Sequence, residues 1–215
     1  LEDHSRFIAT LLIWAVPTIF AIITHEVMHG VIARAFGDDT AERMGRLTLN
    51  PVPHIDPVGT ILLPGILIFM HLPVFGYAKP VPVNFQRLQP PRPGMIAVAA
   101  AGPLTNFALA AISAILFRWL IHSPGASSMS LTPAGVVMLA ASVKVNVMLA
   151  VFNLLPLLPL DGGRVVVGLL PRPLAMGYAR LERYGFVILF LLLYIGWIDP
   201  LIDLVTRTIA GALLS

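Results

Sequence analysis

The sequence predicts an all-α polytopic membrane protein: a three-helix core with a re-entrant hairpin, short β segments and additional C-terminal helices. Composition is the first observation behind this. Of 215 residues, 57% are hydrophobic and 12% charged, and the mean hydropathy is +0.86, too apolar for an ordinary soluble domain. Second, three apolar stretches approach the roughly 20 residues that a helix needs to cross a bilayer, whereas single strands would leave backbone groups unpaired there. Third, prolines crowd between the first stretch and the second and break any long helix. The length suits one bundle. Residues 1–215 are read as a single membrane-embedded domain, with a core over about 7–170 and a C-terminal helical region over about 171–215.

The elements follow in order. A first helix is expected over residues 7–36, uncharged up to Thr24, with Pro17 as a kink and Gly37 as the C-terminal stop. It is too long for a signal-peptide core and has no small-residue cleavage site after it. From residue 43 to 84 the prolines at 51, 53, 57, 64, 73, 80 and 82 dominate. Residues 48–52 and 77–83 read as short extended segments. Residues 58–72 are apolar but short, and Pro64 and Gly65 interrupt them, so a re-entrant hairpin fits better than a span. A second span is expected over 94–117, rich in alanine and suited to close helix approach. A Ser/Pro/Gly turn covers 122–132, and Pro133 opens a third span ending near Asn153. Pro156 and Pro159 enforce irregular chain before a short helix over 162–170. A final apolar region over 184–198 and a weaker, interfacial helix over 201–214 complete the chain.

Most of the 14 basic residues fall in three places. Arg34, Arg43 and Arg46 follow the first span; Lys79, Arg87 and Arg92 precede the second; Arg164, Arg172, Arg180 and Arg183 follow the third. The turn at 122–132 has none. By the positive-inside rule the three basic regions are expected on the cytoplasmic side and the turn outside. The net charge of +3 is small, so no nucleic-acid partner is expected. Cysteine is absent, which excludes disulfides and thiolate metal sites and leaves imidazole and carboxylate as the strong ligands.

The candidate chemistry begins at His25-Glu26-Val27-Met28-His29. Residues four apart share a helix face, so His25 and His29 can present two imidazoles to one metal, while Glu26 is placed to take a proton from water. Ionisable groups at that depth are costly and read as functional. The competing reading is a pair of histidines hydrogen-bonded between helices. A third ligand is needed, and few groups offer one. Asp161, in Leu160-Asp161-Gly162-Gly163, lies where the third span returns, although an Asp-Gly pair alone reads better as a helix cap or turn. His54 is a possible fourth or gating ligand, against a loop histidine bonded to Asp56. Lys144 is expected to snorkel outward, and Gly102 and Asn106 to serve helix packing.

With Ala101-Gly102-Pro103-Leu104-Thr105-Asn106 and Asn153-Leu154-Leu155-Pro156-Leu157-Leu158-Pro159-Leu160-Asp161-Gly162-Gly163-Arg164 added, the chain resembles the site-2 protease family of intramembrane zinc metalloproteases over roughly residues 7–170. The resemblance implies a minimal form without an added regulatory domain, which cleaves transmembrane protein substrates in the lipid bilayer. It implies one Zn2+ per chain on His25, His29 and Asp161, with Glu26 as general base and Asn153 as a donor to the substrate or intermediate. Gly76, Tyr77, Ala78 and Lys79 are similar to the family's edge-strand region, where an unwound substrate would pair. A prokaryotic cell membrane, with the centre toward the cytoplasm, is the expected location. The alternative is a non-proteolytic metal-binding membrane protein or carrier, which would need the ligands but no general base.

Overall fold

In a computed structural model, residues 2–72, 76–122 and 133–215 are described. Among these described residues, three helices carry stretches long and apolar enough to cross a membrane: Ile8–Ala35, Pro91–His122 and Ala134–Asn153. The first belongs to α1 (Glu2–Ala35), which runs unbroken through Pro17. Its end is a Schellman motif. The Asp38 amide donates to the carbonyl of Ala33 and the Gly37 amide to that of Arg34, with Gly37 at φ +98°, a conformation that glycine adopts without strain. A short α2 (Thr40–Arg43) follows. Along α1 the hydroxyls of Thr10, Thr18 and Thr24 bond back to carbonyls one turn earlier, which satisfies them without water.

The hairpin expected at 58–72 is not what forms. A π-helical turn over Pro57–Leu62 passes directly into α3 (Leu63–Phe69), and the chain does not reverse within them. Asp56 caps this unit by accepting from the amides of Val58 and Gly59. Pro64 lies in the first turn of α3 at the junction with the π-helical turn, and the Gly59 carbonyl five residues before it accepts from the Tyr77 amide instead, so the chain stays helical through the proline. The unit is too short to span; residues 76–79 run back along it, and residues 81–84 continue to Glu26 and Asp38. Nor do the short β segments form: no strand exists among the described residues. Residues 48–51 lead into a 3-10 turn, Val52–His54. Between 77 and 81, alternate amides donate to groups that are not strands: Tyr77 to the Gly59 carbonyl, Lys79 to the His54 carbonyl and Val81 to Glu26.

The second and third long helices are α4 (Pro91–His122) and α5 (Pro133–Asn153). Of the turn expected outside the membrane at 122–132, His122 ends α4 and residues 123–132 lie outside the described residues. Then come α6 (Asp161–Leu169), α7 (Arg172–Ala179), α8 (Glu182–Ile195) and α9 (Asp199–Leu214). Of these, α7 was not expected. α8 and α9 meet at an 80° bend.

Helix α4 packs on α1, α5, α6 and α9, and α5 packs on α1 and α9 as well. The α4–α5–α9 seam is made of small side chains, Ala110 and Ala114 against Val143, Val147 and Ala210, which let the backbones approach closely. A second cluster, Ala33, Leu88 and Val98 with Phe36 and Phe85, joins the end of α1 to the start of α4. Asp38 is fully buried between them. Its carboxylate accepts from Thr40 and from the Asn84 amide, tying the end of α1 to the returning segment. Burial would raise its pKa, but the bonds from Thr40 and Asn84 and the nearby Arg87 outweigh it and hold the carboxyl below its usual value.

Candidate metal centre

Helix α1 supplies two imidazoles one turn apart, both buried. The rings of His25 and His29 meet edge to face, with centroids 4.7 Å apart and planes at 84°. Each is fixed through Nδ1 by a group on α4. His29 Nδ1 lies 2.7 Å from the carbonyl oxygen of Val98. A carbonyl only accepts, so Nδ1 carries the proton and the neutral ring leaves Nε2 with a free lone pair. His25 Nδ1 lies 2.6 Å from Asn106 Oδ1. The orientation of that amide follows from its other end, which donates to the Ala21 carbonyl at 3.3 Å and to Asn146 Oδ1 at 2.9 Å. Asn146 in turn donates to the Ser142 carbonyl. A buried polar chain thus crosses from α1 through α4 to α5 and sets the His25 tautomer.

The third group arrives from far along the sequence. After α5 the loop at 154–160 folds beneath the start of α6, so closely that a Cβ on Gly162 would stand 2.2 Å from the Leu154 carbonyl oxygen. Only glycine fits there, which accounts for the residue after Asp161. Arg164, on the next turn of α6, bonds Glu182 at 2.7 Å and lies over the Phe85 ring, bracing α6 against α8 and the returning segment. Asp161 Oδ2 is thereby placed 3.1 Å from His25 Nε2 and 3.4 Å from His29 Nε2.

The ligand atoms of His25, His29 and Asp161 lie within 4.8 Å of one another. With both Nδ1 atoms protonated, the two neutral rings turn lone pairs toward a carboxylate oxygen that is itself buried and has no hydrogen-bond partner. Three electron-rich atoms facing one another call for a cation, and two imidazoles with one carboxylate are a donor set that zinc accepts. Gly102 of α4 leaves room beside them: a Cβ there would stand 2.5 Å from His25 Nε2 and 2.6 Å from His29 Nε2. The residues present fit a zinc ion. Glu26, beside His25, accepts from the Val81 amide at 2.9 Å through Oε2.

The other candidates make different bonds, none of them to these three ligands. Asn153 ends α5, and its Nδ2 donates to the Leu149 carbonyl one turn back, at 3.0 Å. His54 is buried, but its Nε2 donates to the Thr48 carbonyl at 2.9 Å. Its expected bond to Asp56 is absent because Asp56 is engaged as a helix cap. Gly76, Tyr77, Ala78 and Lys79 lie on the segment that leads to Val81 and Glu26. Gly102 and Asn106, assigned to packing from the sequence, instead touch the histidines. Asn146 was missed altogether. Its signal was present, since an asparagine within an apolar span needs a partner.

A profile of peptidase family M50 matches residues 120–195. A protein of Bacillus subtilis (strain 168) described as "Putative zinc metalloprotease YwhC" is 39% identical over 181 residues, covering 84% of this chain and 78% of that protein. No solved structure matches.

Proposed function

The chain belongs to peptidase family M50, the site-2 protease family, and on that premise we propose that it is an intramembrane zinc endopeptidase that hydrolyses peptide bonds in or near transmembrane segments of other membrane proteins. The observation that carries this reading is the meeting of Asp161, from α6, with the two Nε2 atoms of α1 beside a glutamate. His25, His29 and Asp161 hold one zinc per chain. Bound zinc supplies a Lewis acid that polarises the scissile carbonyl and makes water nucleophilic near neutral pH. Glu26 accepts the proton of the attacking water and passes it to the leaving amine. One of its oxygens is held by the Val81 amide, which fixes the carboxylate and leaves the other oxygen for that transfer. Asn153 donates to the developing oxyanion once its amide leaves the Leu149 carbonyl.

The returning segment supports substrate pairing. Its amides at 77, 79 and 81 are engaged on one side, and the carbonyls of Tyr77 and Lys79 accept from Thr60 and Arg46. The amide of Ala78 and the carbonyls of Gly76, Ala78 and Pro80 make no hydrogen bond among the described residues. That alternation leaves one edge of extended chain free, with the Ala78 amide three residues before the amide that holds Glu26. An unwound transmembrane segment needs such a partner, because lipid offers its backbone none. The membrane is that of a prokaryotic cell, with the metal centre toward the cytoplasm.

Co-expression with candidate single-span membrane proteins tests the reading. The parent is expected to cleave at least one of them, and Glu26→Gln to cleave none while keeping its zinc. Substantial turnover by a zinc-loaded Glu26→Gln protein would remove Glu26 from the mechanism.

A further inference from the structure

Away from the metal centre, α1, α5 and α9 line a half-open cavity of about 510 Å³. That volume lies within the range of small-molecule sites. None of His25, Glu26, His29 or Asp161 lines it. Its walls are largely apolar, with Trp14, Val145, Met148 and Leu214 among them, but Lys144 and Thr206 also face it.

Lys144 is the one charged residue of α5 and lies near its middle. A charge at that depth needs an opposing charge or an escape to the interface, and no carboxylate pairs with Lys144 among the described residues. Asp203, which also lines the cavity, is engaged by Arg207 of the same helix at 3.0 Å. The uncompensated charge of the cavity therefore rests on Lys144. Thr206 is the second observation. Thr10, Thr18, Thr24 and Thr208 each bond back to a carbonyl one turn earlier. The Thr206 hydroxyl is buried and makes no such bond. An unmatched cation and an unmatched hydroxyl share one apolar cavity. Their complement is a molecule with an acidic head and a hydrocarbon body.

We propose that this cavity binds an anionic amphiphile, its acidic group on Lys144 and Thr206 and its hydrocarbon against Trp14, Val145, Met148 and Leu214. The acidic group is either the phosphodiester of an anionic phospholipid or the carboxylate of a free fatty acid, both available in a bilayer.

Trp14 provides the readout, because the chain has only 3 tryptophans. The full-length protein carrying Trp119→Phe and Trp197→Phe is placed in zwitterionic bilayers doped with brominated lipid, and quenching of Trp14 is measured. An anionic brominated phospholipid, a brominated fatty acid and a zwitterionic brominated phospholipid form the three arms. At least one anionic arm is expected to quench about fivefold more strongly per mole than the zwitterionic arm, the advantage that one lysine gives an anionic head group. Whichever anionic arm quenches more identifies the source. Lys144→Gln should remove the preference and Lys144→Arg should keep it, with zinc content unchanged in both. Should Lys144→Gln fail to fold, Thr206→Val serves in its place and should weaken the preference. Equal quenching by all three arms in the parent, or a preference that survives loss of the Lys144 charge or of the Thr206 hydroxyl, overturns the proposal.

Discussion

Asn106 shows how much of the site depends on single side chains that bind no metal. Its amide takes the Nδ1 proton of His25 on one side and donates to Asn146 and the Ala21 carbonyl on the other. Removing it leaves His25 free to turn or to protonate the wrong nitrogen. Asn106→Ala is therefore expected to weaken zinc binding about 10- to 100-fold, the usual effect of losing a partner that orients a ligand. Competition with a metal-sensitive chelating dye would measure it, and an unchanged affinity would reduce Asn106 to a packing residue. At this scale the sequence was unevenly legible. His25, Glu26 and His29 could be read directly, because four-residue spacing on a helix is a local fact. Gly102 and Asn106 could not, because their work is done across a helix interface that one-dimensional spacing does not encode. Asp161 could be read only with the help of the family resemblance, since an Asp-Gly-Gly run by itself looks like a turn.

Residues 76–84 are the element on which the substrate reading turns. The amide of Ala78 points to no protein acceptor among the described residues, whereas its neighbours at 77 and 79 are both engaged. Ala78→Pro deletes that donor. It should lower kcat/KM about fivefold, the worth of roughly one backbone hydrogen bond, and leave zinc content intact. Full activity in this variant would mean that the free edge does not receive substrate. Irregular chain was legible here from the prolines, whereas the element before it forms a helix where a hairpin was expected. Pro64 and Gly65 were read as breaks, but the chain stays helical through both, the carbonyl left by the proline being taken by the Tyr77 amide. What marks the unit is Asp56, whose carboxylate caps it from outside the apolar stretch. The extended segment forms no ladder because its partners are a helix carbonyl, a loop carbonyl and a carboxylate.

For the whole molecule, the three long spans and the start and end of α5 were legible from hydropathy and proline placement, while α7, short and only weakly apolar, was not. Contacts between residues 36–38 and 84–89 place the end of α1 and the start of α4 at one end of the bundle. The Gln89 amide donates to the Phe36 carbonyl, and the Asn84 amide to Asp38. Single cysteines introduced at 37–48 and at 85–93 of this cysteine-free chain should therefore label from one side of the membrane, the cytoplasmic one by the basic residues around them. Labelling of the two regions from opposite faces would contradict this arrangement and make the short helical unit between them a true span. Whether α1 and α6 share one zinc is read from the zinc content of the detergent-purified protein beside its Glu26→Gln and Asp161→Ala variants. The parent and Glu26→Gln should each carry close to one zinc per chain, and Asp161→Ala should have lost most of it. An Asp161→Ala protein that binds zinc as the parent does would place the third ligand elsewhere and separate α6 from the metal.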